Sequence, residues 1–277
     1  MASMLRAPVC SWMLLLAAAC GGPPELTEAA KLALAAKSSP KTWEDLDPQH
    51  PGHRLRDPRT GIVFVRVPEG TFEMGGNEVP NEQPVHRVSL TKAFLLAETE
   101  LTVAQWQQHV EQFAGDPEVP VPEGETLPMP ASWRDAEAFC ARYGYRLPTE
   151  AEWERACRGG LPRDQEPWRG DQNLVRFAWC HRNADGVRPV GTRERNPYGL
   201  HDMLGNVWEW CQDAYADGAY QGRPDPAVDP TGPAAGDRVL RGGSWFTTPT
   251  ARPETRSAAN AAERSPFYGF RPARACD

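Results

Sequence analysis

The chain has 277 residues, 40% hydrophobic and 24% charged, with a formal charge of −7. That length and apolar fraction allow one substantial core, and the acidic balance without any Lys/Arg cluster argues against a nucleic-acid partner. Its 28 Pro, 24 Gly and 10 Trp predict a loop-rich fold with heavy aromatic packing.

Residues 1–19 read as an export signal: Arg6, an apolar run ending in Leu14-Leu15-Leu16, and small residues at Ala17 to Ala19. The run is too short for a stable membrane span. Ala17-Ala18-Ala19 satisfies a plain A-x-A cleavage site, but Cys20 directly after it, followed by Gly21-Gly22-Pro23-Pro24, resembles a bacterial lipobox and is the favoured reading. A lipidated Cys20 would tether the mature chain to a membrane of the bacterial cell envelope, and Gly21 favours the outer membrane, facing the periplasm or the surface. Residues 20–60 read as the tethered linker, with one short helix in "LTEAAKLALAAK" capped by Thr27. The domain is expected to occupy 61–277.

Within it, "GIVFVRVPEGTFEMG" alternates apolar residues around a Pro-Glu-Gly turn, the pattern of two half-buried antiparallel strands, and "VHRVSLTKAFLLAETEL" supplies more strand. Three helices are announced by capping boxes: Thr102 with Gln105, Ser132 with Asp135, Thr149 with Glu152. Gly144 is placed to end the second in the left-handed conformation. After Cys157 the chain reads as loop until the strands in "RVLRGG" and "FYGFRPAR". This order of strands, a few helices and returning strands predicts an α+β domain with an antiparallel sheet.

Export makes Cys140, Cys157, Cys180, Cys211 and Cys276 disulfide candidates. Their number is odd, so at least one stays unbridged within the chain, and the absence of any C-x-x-C argues against a zinc or thioredoxin-like site. The six His residues have no i, i+4 pair for a metal. Capping and the helix dipole account for Glu150 and Glu152. In "HDMLGNVWEW", Asp202 and Glu209 bracket Gly205 and Asn206, a mixture of carboxylate and carbonyl oxygens suited to Ca2+, although spacing alone favours a capped turn before buried Trp208 and Trp210.

Six blocks, "VRVPEGTFEMG", "PVHRVSLTKAFLLAETELTVAQW", "SWRDAEAFCARYGYRLPTEAEWERACRGG", "PVGTRERNPYGLHDMLGNVWEWCQD", "RVLRGGSW" and "YGFRPA", stand in an order that resembles the formylglycine-generating enzyme family, the sulfatase-modifying-factor domain. The resemblance spans about residues 61–274. It implies a modified C-type-lectin-like fold, loop-rich, with antiparallel strands and a few helices. It also implies a structural calcium held by the side chains of Asp202 and Glu209 and the carbonyls of Gly205 and Val207. Active enzymes of the family use copper and O2 to oxidise a Cys in a C-x-P-x-R segment of a sulfatase to formylglycine. The resemblance further implies a bridge between Cys140 and Cys276, while the usual partner of Cys157 falls on Ser257, which leaves Cys180 or Cys211 to substitute.

The two family cysteines that bind Cu(I) fall on Thr247 and Arg252. Neither replaces a thiolate, so copper is not expected. The resulting expectation is a membrane-tethered, non-catalytic module with a cleft formed by Trp208, Ser244, Trp245, Thr247 and Arg252, binding an envelope protein, peptide or glycan. The alternative is an oxidoreductase of the family with altered metal chemistry. Iron-dependent relatives draw their His cluster partly from a separate helical domain, for which residues 21–60 are too short.

Overall fold

A computed structural model describes residues 43–47, 53–108, 122–247 and 251–276. The signal segment, Cys20 and the helix expected at Thr27 lie outside the described residues. Twelve strands form three sheets among the described residues. The first sheet has the order β1 (Glu44–Asp47), β2 (Arg54–Arg56), β3 (Val63–Val67), β6 (Phe94–Ala97), β12 (Ala273–Ala275), paired antiparallel throughout. The second joins β10 (Arg256–Ala259), β9 (Arg238–Arg241), β7 (Trp208–Ala214) and β11 (Tyr268–Gly269). The third joins β4 (Gly70–Met74), β5 (His86–Leu90) and β8 (Ala227–Val228). The α+β expectation holds; the two-residue strands β8 and β11 depart from it by pairing parallel.

Two expectations change. The folded domain begins before residue 61: β1 and β2 extend the first sheet, Trp43 packs 5.4 Å edge-on against Phe64, and Asp57 and Thr60 are buried. The charge and proline content of this stretch suggested linker, but its charges are paired, Arg54 with Glu98 at 2.7 Å and Arg59 with Asp57 at 2.5 Å. Second, the Pro-Glu-Gly turn does not close a hairpin. β3 stays in the first sheet while β4 crosses to the third. Arg155 holds the crossing open by donating to the carbonyls of Pro68 at 2.8 Å and Glu69 at 2.7 Å.

The helices are α1 (Val103–Gln107), α2 (Trp133–Tyr143), α3 (Glu150–Arg158) and α4 (Asp171–Phe177). All three expected capping boxes form, and Gly144 ends α2 at φ 71°. The fourth helix was not legible as one; its cap residue is Gly170, which makes no side-chain bond. Two apolar clusters make the core. Strand β7 runs between them, so that period-two alternation sends Trp210 into one and Cys211 into the other. Three of the buried tryptophans are satisfied: Trp210 donates to Ala131 O, Trp133 to Cys211 O and Trp153 to Glu209, each at 2.8 Å.

Helix α3 carries more than caps. Glu152 closes its box and pairs with Arg146, but Glu150 and Glu154 are buried acids. Glu150 takes two bonds from Arg256, at 2.8 and 2.9 Å, and Glu154 is bonded by Arg158, Arg241 and the Gly75 N–H. Capping alone therefore does not explain Glu150. This network ties α3 to β9, to β10 and to the segment before it, the ground on which the candidate site stands.

Candidate functional site

The loop after β9 begins at Gly242 and Gly243, both left-handed at φ 92° and 78°. A Cβ on Gly242 would meet Met203 O at 3.0 Å and the Trp153 ring at 3.1 Å, and one on Gly243 would meet Ala251 Cβ at 3.1 Å, so the turn needs both glycines. Beyond it Ser244 and Thr247 form a closed bracket. The Thr247 hydroxyl accepts from the Ser244 N–H at 2.7 Å, and the Thr247 N–H donates to Ser244 O at 3.0 Å. Ser244 Oγ in turn accepts from the Phe246 N–H at 3.3 Å.

Of the residues expected to line one cleft, Ser244, Trp245 and Thr247 come together. Trp208 joins through its backbone, its N–H donating to Phe267 O at 2.7 Å, while its ring packs on a core cluster. Arg252 departs from that grouping: its guanidinium is engaged within the chain, with Glu82 Oε1 at 2.7 Å and with Glu78. Buried Glu82 demands a counter-charge, and Arg252 supplies it.

Three contributors escaped the sequence reading. Phe246 and Phe267 join Trp245 in a mutual cluster, with ring centroids 5.5 to 6.1 Å apart. Phe246 is 65% exposed, so this shelf offers aromatic surface to solvent. His181, left unassigned like the other histidines, brings Nδ1 within 3.0 Å of Thr247 O. Phe246 was visible as the aromatic after Trp245; Phe267 and His181 arrive only by folding. The donor set at the two positions where the resembled family places copper does not fit Cu(I): one is a hydroxyl already accepting a bond, the other a cation paired with two carboxylates.

Beneath the turn lies the second expected site. Gly205, at φ 77°, is pressed so closely on Trp179 that a Cβ would fall 2.1 Å from its carbonyl oxygen. Both oxygens of Glu209 are occupied, by Arg271 at 2.7 Å each and by the Trp153 indole. Asp202 accepts from the Gly191 N–H at 2.6 Å through Oδ2 alone, and its Oδ1 is buried without a partner. Glu100, unnoticed in the sequence, is wholly buried in the same cluster; Asn206 Nδ2 donates to its Oε1 at 3.1 Å, and Oε2 is orphaned. Burial pushes both Asp202 and Glu100 up, and for Glu100 the Asp202 charge adds to it. Among the described residues no three acidic, His or Cys side chains form a ready metal shell. The orphaned Asp202 and Glu100 oxygens fit a hard cation, whereas Glu209 is committed to Arg271.

Cys140, Cys157, Cys180 and Cys211 are buried free thiols, so the Cys140–Cys276 bridge and a bridge from Cys157 to Cys180 or Cys211 are not formed in this structure. Burial raises the thiols of Cys140, Cys157 and Cys211, which keeps them protonated and inert. Cys276 is half-buried and packs on the cluster that contains Cys140.

Comparison with known proteins matches this geometry to one family. Residues 53–276 match the sulfatase-modifying factor enzyme 1-like domain. The chain is 33% identical over 263 residues to a formylglycine-generating enzyme of Streptomyces coelicolor, covering 71% of this chain and 82% of that protein. It is 38% identical over 168 residues to the inactive C-alpha-formylglycine-generating enzyme 2 of Mus musculus, covering 53% of this chain and 49% of that one. Among solved structures, Treponema denticola variable protein 1 superposes with a TM-score of 0.68 at 28% identity, over 78% of this chain and 95% of that one. The modified C-type-lectin-like fold, the blocks from β3 to β12 and the matched span agree: this chain belongs to the sulfatase-modifying factor enzyme 1-like family.

Proposed function

We propose that this protein is an exported, lipid-anchored and non-catalytic member of its family, a binding module of the bacterial cell envelope. The observation that carries the reading is the fate of the two copper positions: Thr247 closes a bracket with Ser244, and Arg252 neutralises Glu82 and Glu78. The similarity to an inactive mammalian relative supports the same reading. The working surface is the shelf of Trp245, Phe246 and Phe267, whose flat apolar faces suit a peptide, a protein or the apolar face of a sugar. Cys20 supplies the tether, which holds the domain near partners in the same envelope.

A structural calcium belongs to this proposal. Asp202 and Glu100 would provide the carboxylates and the carbonyls of Gly205 and Val207 the remaining oxygens. The ion would offset the buried negative charge that Arg271 alone leaves uncompensated.

The deciding experiment titrates purified protein with Cu(I), then incubates it with a C-x-P-x-R peptide in air. No stoichiometric copper and no aldehyde product are expected. Tight copper binding with peptide oxidation sinks the non-catalytic reading. Crosslinking from intact envelopes, compared between wild-type and Phe246→Ala, reports the partner.

A further inference from the structure

A second concavity lies on the other limb of the same loop. This cleft, of about 250 Å3, is lined by Glu78, Trp168, Arg169, Leu174, Arg252 and Pro253, among others. Its polar complement is unusual. Trp168 is only 4% exposed, and its indole N–H has no hydrogen-bond partner. Arg169 Nη2 forms an ion pair with Glu166 Oε2 at 3.0 Å and lies 3.9 Å from Glu254 Oε1, but makes no directed hydrogen bond. Arg252 is held asymmetrically. Its Nη2 is fixed by Glu82, which is 2% exposed, whereas its Nη1 is met by Glu78, which is 71% exposed.

We propose that this cleft is a carboxylate-binding site, and that the Glu78 carboxylate occupies in cis the place of a ligand's acid group on Arg252. This rests on the binding-module reading and names the ligand chemistry of that module. Two features carry it. Donor capacity exceeds what the chain uses, since the buried Trp168 N–H has no hydrogen-bond partner and Arg169 Nη2 meets its carboxylates as an ion pair without a directed hydrogen bond. The guanidinium of Arg252 presents a fork that matches a carboxylate, and only its exposed limb is held by a group that water can readily replace. Buried Glu82 stays bonded throughout, so exchange at Glu78 costs no buried charge. Leu174, Ala251 and Pro253 supply an apolar wall. The volume lies below the roughly 300–1,000 Å3 of pockets that enclose drug-sized ligands, which limits the occupant to about one residue bearing its carboxylate. The ligand class is an acid on a short apolar body, either the C-terminus of a partner or a free small acid.

The test uses the whole mature protein and calorimetric titration. The probes are N-acetyl-leucine, a hexapeptide ending in leucine with a free carboxylate, and the same peptide amidated. Wild-type protein is expected to bind an acid probe and not the amide. Glu78→Gln, which removes the internal competitor, should tighten binding about fivefold, and Arg169→Gln should weaken it about tenfold. The Trp168 indole proton should shift on saturation. If the peptide acid binds and N-acetyl-leucine does not, the source is a partner C-terminus; the reverse identifies a free acid. Equal binding of acid and amide, or no saturable binding by Glu78→Gln at about 10 mM probe, overturns the proposal. Glu78→Gln lies on the surface, so its folding is checked by an unchanged melting temperature. A failed titration together with retained partner capture through Phe246 removes the carboxylate site and leaves the binding module standing.

Discussion

Replacing Arg241 by Met should be among the most damaging single changes in this domain. Arg241 is fully buried on β9. It donates to Glu154, to Glu254 O at 2.9 Å and to Pro253 O at 2.8 Å, and lies 5.3 Å from the centre of the Trp153 ring. Met keeps much of the aliphatic bulk but leaves an acid and two carbonyls short of a partner. Breaking one side of a buried ion pair costs about 3–5 kcal/mol. Each orphaned carbonyl adds about 1 kcal/mol or more, giving a total near 5 kcal/mol after the retained packing is credited. For a domain of this size that corresponds to a fall of about 10–20 °C in melting temperature. Calorimetric melts of Arg241→Met, Glu154→Gln and the double variant provide the measurement. The singles should be non-additive by about 2 kcal/mol, because Glu154→Gln removes the charge that Arg241→Met strands. A loss below about 1 kcal/mol, or strict additivity, refutes the view that this pair anchors the loop.

Other expectations follow the same logic. Asp213, accepting from Glu150 N at 2.7 Å and Gly232 N at 2.5 Å, is pushed up to about 6 by burial and by nearby Glu150. The folded state therefore holds this proton more tightly than the unfolded chain, so its contribution is complete below about pH 4 and falls as pH rises through about 6. Asp213→Asn should flatten that fall in urea titrations; an unchanged slope is evidence against it. The opposite limb comes from Asp57, Asp135 and Glu150, held below the usual carboxylate range by Arg59, Arg264 and Arg256 against the cost of burial, and is lost as the pH drops through their lowered values. If calcium occupies the Asp202 cluster, a chelator should lower the melting temperature by about 5–10 °C, the effect of roughly 3 kcal/mol of linkage, and Asp202→Asn should abolish that response. Phe246→Ala should change stability by less than about 0.5 kcal/mol while reducing envelope capture; retained capture argues against the aromatic shelf.

Features encoded in contiguous residues were legible in the sequence. The three capping boxes and the left-handed end at Gly144 each depend on groups a few residues apart, and each formed as read. The ordered blocks, and the lack of cysteine at 247 and 252, were likewise available without coordinates. Tertiary structure decided what long-range pairing decides. Only folding sends β3 and β4 to different sheets, brings Glu100 beside Asp202, and carries Phe267 to Trp245. Arg252 shows the limit most clearly. Its charge was visible, but whether that charge faces a ligand or a buried acid depended on Glu82, 170 residues away in sequence. A buried carboxylate must find its counter-charge wherever the chain brings one near, and no local pattern records that choice.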